Sequence, residues 1–273
     1  MYGAILGDII GKPYEFDNAV KSRDFELFNE ESRFSDDSVM TIAVAEALFK
    51  VMDERVMVFT LKDPEIENKF KNILIDSLKK WGRKYPDAGY GGRFYQWLMS
   101  DKRTPYQSYG NGSAMRVSAA GYVAEDLETT IKVAAWTADV THNHHEGVKG
   151  AEAVAACIFM ARKGYTKKEI KEYIEKEFHY DLSRTVDEIK PGYSFDVSCQ
   201  GSVPESIICF LEAYSFESAI RNAVYLGGDT DTMGAIAGSI AEAYYGVPQR
   251  LKEECLKRIT PDMKAVLLEF MGD

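Results

Sequence analysis

Cysteine is scarce in this sequence. The four present, Cys157, Cys199, Cys209 and Cys255, show no C-x-x-C spacing, which argues against a zinc frame. Three of them lie in apolar or helical contexts that suit reduced structural thiols better than disulfides. Long apolar runs are missing as well. No window approaches the length of a membrane span, and the N-terminal run MYGAILGDIIGKPYEF has no basic leader and is broken by Gly7 and Asp8, so a cytoplasmic protein without membrane contact is expected. Positive charge is in deficit: 33 basic residues face 43 acidic ones, a net charge of -10. A field of that sign repels phosphate polymers and disfavours nonspecific nucleic-acid binding. Nor is there a Pro- or Ser-rich linker, an internal repeat or a low-complexity tract. With 273 residues and 45% hydrophobic content, the chain is long enough for one large core, and we expect a single domain over residues 1–273, acting as a monomer.

What is present repeats at helical spacing. Met40, Ala43, Val44, Ala47, Leu48 and Val51 form one apolar stripe, Ile66, Phe70, Ile73, Leu74, Leu78 and Trp81 a second, and Ala151, Val154, Ala155, Ile158 and Phe159 a third. Further helices are expected over 127–139, 166–178, 204–213 and 216–226, with two more opening at Pro248 and Pro261, both good first-turn positions. KKEIKEYIEKEF (167–178) reads as a charged amphipathic helix with a solvated face. Long alternating strand patterns are absent. The fold class is all-α, a compact bundle of many helices.

Five stretches interrupt the helical pattern: GDIIGKPYEF (7–16), RFSDDSVMT (33–41), GYGGRFYQWL (89–98), SYGNGSAMR (108–116) and THNHHEG (141–147). Each joins Gly or polar residues to the start of an apolar helix, which is how an all-α fold gathers a site at one end of its bundle. A sixth, LGGDTDTMGAIAGSIAEAYYG (226–246), places Asp229 and Asp231 at the N-terminus of a helix rich in small residues that ends at Gly246 and Pro248. A lone aspartate there is an N-cap that suits the helix dipole. Asp36 and Asp37 repeat the design, with hydroxyls beside them and a buried helix following. Small-residue helices pack closely, and packing these two together brings four carboxylates to one place. At about 4 Å, like charges repel by roughly 1 kcal/mol in water and roughly 4 at a protein-surface dielectric, so such a cluster calls for cations. Oxygen ligands with adjacent Ser and Thr hydroxyls suit Mg²⁺ or Mn²⁺.

In SYGNGSAMR, Gly110 and Gly112 around Asn111 leave backbone N–H groups that can form an anion-binding nest fitting a pyrophosphate; an ordinary turn with an N-cap is the alternative. In THNHHEG, His142 and His144 have a zinc-compatible H-x-H spacing, but the only histidine outside this stretch is His179. A histidine at the loop-to-helix junction, bonded to a ligand or a backbone carbonyl, is the better reading.

The motifs GAILGDIIGKPYEF, SDDS, GYGGRF, GNGSAMR, THNHHEGVKGA and LGGDTDTMGAIAG, in this order and across nearly the whole chain, resemble those of the ADP-ribosylglycohydrolase family. The resemblance implies a compact all-α domain with two Mg²⁺ or Mn²⁺ ions at the mouth of a cleft that binds ADP-ribose. It implies Asp229, Asp231 and Thr232 as metal ligands facing Ser35, Asp36 and Asp37. Ser35 and Ser38 stand where the family usually has Thr, which keeps the hydroxyl and loosens its rotamer. Glu15 matches an acidic residue that in some members reaches the second metal from a mobile segment. Ser108, Tyr109 and Gly110 fall near the pyrophosphate or distal ribose, followed by Asn111 and Gly112, with His142 close by and Gly91 and Gly92 in a neighbouring loop. The implied reaction is hydrolysis of an ADP-ribosyl bond to a modified side chain, arginine-linked first, with one of Asp36, Asp37 or Asp229 as base and Glu15 as acid. A catalytically silent ADP-ribose binder or structural relative, and a Mg²⁺-dependent phosphohydrolase, are the alternatives.

Overall fold

The computed structural model describes residues 1–16, 20–53 and 64–272. Among them the chain forms fifteen α-helices, with two isolated β-bridges and no sheet. The all-α expectation holds. Helix α1 (Tyr2–Gly11) is followed by a 3-10 turn at Lys12–Tyr14, where Pro13 redirects the chain. Next come α2 (Asp36–Asp53), α3 (Pro64–Lys84), α4 (Gly92–Met99) and the short α5 (Gly112–Met115) and α6 (Ala120–Val123). Helix α7 (Leu127–Asp139) starts where the Asp126 side chain accepts from the Thr129 N–H, and α8 (His145–Arg162) where that of His144 accepts from the Glu146 N–H. Capping boxes open α9 (Lys167–Phe178) at Thr166 and Glu169 and α10 (Val186–Ile189) at Thr185 and Glu188. The last five are α11 (Cys199–Leu211), α12 (Phe216–Leu226), α13 (Thr230–Tyr245), α14 (Gln249–Arg258) and α15 (Pro261–Met271).

Most boundaries fall where the sequence places them. Helix α11 starts before the expected 204 because Ser198 accepts from the Gly201 N–H at 3.1 Å, and Pro204 is carried inside the helix. The four cysteines are buried and unpaired. No helix among the described residues is long and apolar enough to cross a membrane.

Helix α13 is the axis of the core: its residues from Thr230 to Glu242 are all buried. Its close partner is α1, with α12, α11 and α8 around its other sides. The packing of α1 on α13 is a backbone-to-backbone approach. A Cβ added at Gly7 would stand 1.9 Å from the carbonyl oxygen of Gly234, and one at Gly3 would stand 2.1 Å from that of Gly238. This corrects the expectation that α2 packs along α13. Helix α2 runs instead against α3 and α15 and touches α13 lightly. The reason is complementarity of small residues: α1 carries Gly3, Gly7 and Gly11 one turn apart, opposite Gly238, Gly234 and Thr230, whereas the stripe on α2 is filled by larger side chains. The carboxylates of α2 and α13 meet end to end at the two helix starts.

Candidate active site

Asp8 is the one acidic residue of α1 and is fully buried. Its carboxylate accepts from the N–H groups of Ser35 at 2.9 Å and Ser38 at 3.0 Å, from Ser35 Oγ at 2.7 Å and from Ser38 Oγ. It therefore satisfies the open N-terminus of α2 from a neighbouring helix. Asp36 and Asp37 are relieved of that task. Asp37 Oδ1 is buried with no hydrogen-bond partner among the described residues.

The start of α13 is arranged in the same way. Asp229 holds the N-cap position but makes no capping bond; it accepts instead from Asn111 Nδ2 at 2.7 Å. Thr230 Oγ1 donates to the carbonyl of Gly11 at 2.8 Å, which pins this end to α1. Thr232 Oγ1 donates to Asp37 Oδ2 at 3.3 Å and joins the two helix starts. Glu15 arrives from a third direction, fixed by the N–H of Phe16 donating to Gly228 O at 3.1 Å. Phe16 accepts a positive φ of 63° to do so, the kind of backbone strain found at functional sites. Lys12 Nζ donates to Asp231 Oδ2 at 2.9 Å and also to Glu15.

These contacts produce two acidic groups, Asp8 with Asp37 and Asp231, and Glu15 with Asp229 and Asp231, in each of which one oxygen per residue lies within 4.8 Å of the others. Asp231 belongs to both. Burial, then the charge of Asp231, pushes the Asp36 carboxyl up to about 8 and that of Asp8 up to about 6. The same two causes raise Asp37 and Asp229 well above the carboxylate range, and Glu15 less far. Burial works against the Lys12 ammonium, but Asp231 and Glu15 outweigh it and keep Lys12 charged. One ammonium cannot neutralise six carboxylates. The unpartnered Asp37 oxygen and the all-oxygen donor set fit hard divalent cations.

Asp36, Asp37, Asp229, Asp231, Thr232 and Glu15 line, among others, a cavity of about 430 Å³, a size that suits a small-molecule site. Phe16 and Phe195, with ring centroids 4.8 Å apart, and Val197 are exposed and form its rim. The ADP-ribosylglycohydrolase family model matches residues 1–272. The chain belongs to the ADP-ribosylglycohydrolase family. ADP-ribosylhydrolase ARH3 of Mus musculus is 28% identical over 320 residues, which cover 93% of this chain and 85% of the relative. ADP-ribosylhydrolase ARH3 of Homo sapiens is 26% identical over 318 residues, covering 93% and 87%. A solved structure described as an ADP-ribosylglycohydrolase-related protein complex has the same fold, with a TM-score of 0.64 at 22% identity over 98% of this chain and 95% of that one. Membership of the glycohydrolase family makes the chain an enzyme that hydrolyses glycosyl bonds.

Of the other residues singled out in the sequence, Gly91, Gly92, Ser108, Gly110, Asn111, Gly112 and His142 line the cavity. Ser35 is buried beside Asp37, its Oγ 2.7 Å from Asp8 Oδ1 and 3.3 Å from Asp37 Oδ2. Tyr109 is outside the lining: its half-exposed ring meets His144 at 5.3 Å between centroids, and its carbonyl accepts from Cys199 N–H at 2.9 Å. The nest expected at Gly110–Gly112 is partly consumed by the fold itself, because the Gly110 N–H donates to Ser108 Oγ at 3.2 Å and the Asn111 N–H to Val197 O at 2.8 Å. The residues that the sequence left without a role are Asp8, Lys12, Arg116 and the aromatic rim. Asp8 carried a signal, a carboxylate alone in the otherwise apolar YGAILGDIIG. Phe195 and Val197, in a polar connecting stretch, carried none.

Proposed function

We propose that the chain cleaves the glycosidic bond between C1 of the ribose in ADP-ribose and a modified side chain, releasing free ADP-ribose, at a centre of two Mg²⁺ or Mn²⁺ ions. The observation that carries this reading is the pair of acidic groups sharing Asp231, with a buried, unpartnered Asp37 oxygen, beside the cavity. Ser35, Asp36, Asp37, Asp229, Asp231 and Thr232 would hold the ions, with Glu15 beside the second. When bound, the ions would supply Lewis acidity and neutralise the carboxylates. One of Asp36, Asp37 or Asp229 takes a proton from the attacking water, whose oxygen joins C1. Glu15, half-buried on the Phe16 side, returns a proton to the leaving group. Asn111 holds Asp229 in place by its side-chain amide, and Phe16 and Phe195 screen the reacting end from solvent.

The arginine-linked conjugate is the first substrate to test, because a guanidinium leaving group suits a carboxylate-rich site in a protein of net charge -10. ADP-ribosylated arginine, serine and glutamate peptides, incubated with Mg²⁺ and read by mass spectrometry, should release intact ADP-ribose, with the arginine peptide fastest. Asp231→Asn should lower turnover more than about a hundredfold while the protein stays folded. Release of AMP or phosphate would establish the phosphohydrolase reading, binding without turnover the silent one, and full activity in excess EDTA would sink the metal centre.

A further inference from the structure

A chain of hydrogen bonds in the cavity wall, to which Arg116 and His142 both belong, fixes the position of one proton. Arg116, the last residue of SYGNGSAMR, is fully buried. Its Nη2 donates to the carbonyl of Thr137 at 3.0 Å and to Thr141 Oγ1 at 2.8 Å. No carboxylate pairs with it among the described residues, and its Nε and Nη1 have no partner there. Thr141 Oγ1 also lies 2.7 Å from His142 Nδ1.

A guanidinium can only donate, so Arg116 occupies a lone pair of the Thr141 oxygen. Thr141 is fully buried, so its hydroxyl proton must find an acceptor within the protein. The acceptor at hand is His142 Nδ1, which must then carry no proton. The opposite assignment, with Nδ1 donating, would direct two donors at Thr141 Oγ1 and leave the hydroxyl proton without an acceptor. His142 is thus protonated on Nε2. Nε2 faces the cavity beside the Gly110–Gly112 loop: a Cβ added at Gly112 would stand 3.1 Å from it, and one at Gly110 3.7 Å. Burial, then the charges of Arg116 and Arg93, holds the imidazole well below its ordinary pKa, so the ring stays neutral.

We propose that Arg116 and Thr141 are positioning residues that lock His142 in the Nε2–H tautomer, so that the cavity wall presents a fixed hydrogen-bond donor to an anionic oxygen of the ligand, the pyrophosphate of ADP-ribose. The buried, unpaired guanidinium adds positive potential on the same side. With Nδ1 engaged and Nε2 already protonated, His142 is no general base in the reaction. The ligand half of this proposal rests on the function proposed above; the tautomer half does not.

Imidazole 15N–1H correlation spectra of the ligand-free protein, which separate protonated from unprotonated ring nitrogens, test the tautomer directly. The wild type should show His142 as Nε2–H alone, and an Nδ1–H signal would overturn the proposal whether or not any variant folds. Thr141→Ser keeps the hydroxyl and should keep both the tautomer and the ADP-ribose affinity within about twofold. Thr141→Val should mix the tautomers and weaken ADP-ribose binding in calorimetry by about five- to tenfold. A Thr141→Val protein with an unchanged tautomer, or with unchanged affinity, would refute the positioning role. If the wild type binds no ADP-ribose at all, the function proposed above fails, while the spectra of the ligand-free protein still decide the hydrogen-bond chain.

Discussion

Asp8 lines no part of the cavity, yet the carboxylates that do are set by it. Four donors from Ser35 and Ser38 converge on its two oxygens, which is why Asp36 and Asp37 need not cap their own helix. An asparagine has a single acceptor oxygen, so Asp8→Asn leaves buried donors unmet, a loss of about 1–3 kcal/mol. Relief of the repulsion between Asp8 and Asp231 offsets part of it. The variant should unfold at lower urea concentration than wild type and bind Mn²⁺ more weakly; equal midpoints would show that Ser35 and Ser38 are held by something else. At this scale the legible residues were those whose chemistry is local in sequence. Asp36, Asp37, Asp229 and Asp231 stand beside hydroxyls at helix starts, and that pattern can be read without a fold. Lys12 could not be read in this way, since its partner Asp231 lies 219 residues away. Nor could the real work of Asn111, whose partner Asp229 lies 118 residues away.

Helices α1 and α13 act as one element in this protein. Their backbones are in contact through Gly3, Gly7, Gly234 and Gly238, and this contact brings Asp8 to Asp231. Gly7→Ala puts a methyl group 1.9 Å from a backbone carbonyl of α13, and neither backbone can give without moving the start of α13. The cost should be about 3 kcal/mol in chemical denaturation, with a parallel loss of Mn²⁺ affinity as the acidic groups part. Gly91→Ala is the control: nothing lies within 4 Å of the added Cβ, so stability should be unchanged and any effect should fall on ligand binding. A Gly7→Ala protein as stable as wild type would mean that the helices are not in backbone contact. Helix boundaries were legible because caps such as Thr166 with Glu169 are written within four residues of sequence. The partner of α13 was less so. Its small residues announced a close neighbour, but choosing α1 over α2 required matching the Gly3, Gly7 and Gly11 spacing to it across the length of the chain.

For the molecule as a whole, the acidic cluster ties stability, pH and cations together. In protein stripped of divalent ions, Asp36 is pushed up to about 8 and Asp8 up to about 6, from an ordinary value near 3.8. Between about pH 4 and pH 8 the native state therefore keeps protons that the unfolded chain has released. The contribution of these groups to stability is fully present below the unfolded value and is lost as pH rises through that window. A divalent ion requires the ionised carboxylates and expels those protons, so its affinity rises over the same range. A bound ion at a hundredfold excess over its dissociation constant is worth roughly 2.7 kcal/mol, on the order of 5 °C in melting temperature for a chain of this size. The Mg²⁺- or Mn²⁺-dependent increment in Tm should accordingly be small near pH 5.5 and grow to a plateau above about pH 8, and it should be absent from Asp231→Asn at every pH. ADP-ribose should add a further increment where the ion is bound and little where it is not. An increment that stays flat from about pH 5.5 to 8.5, or that survives in Asp231→Asn, would place the ion elsewhere on the protein and leave the carboxylates of α2 and α13 as structural charges.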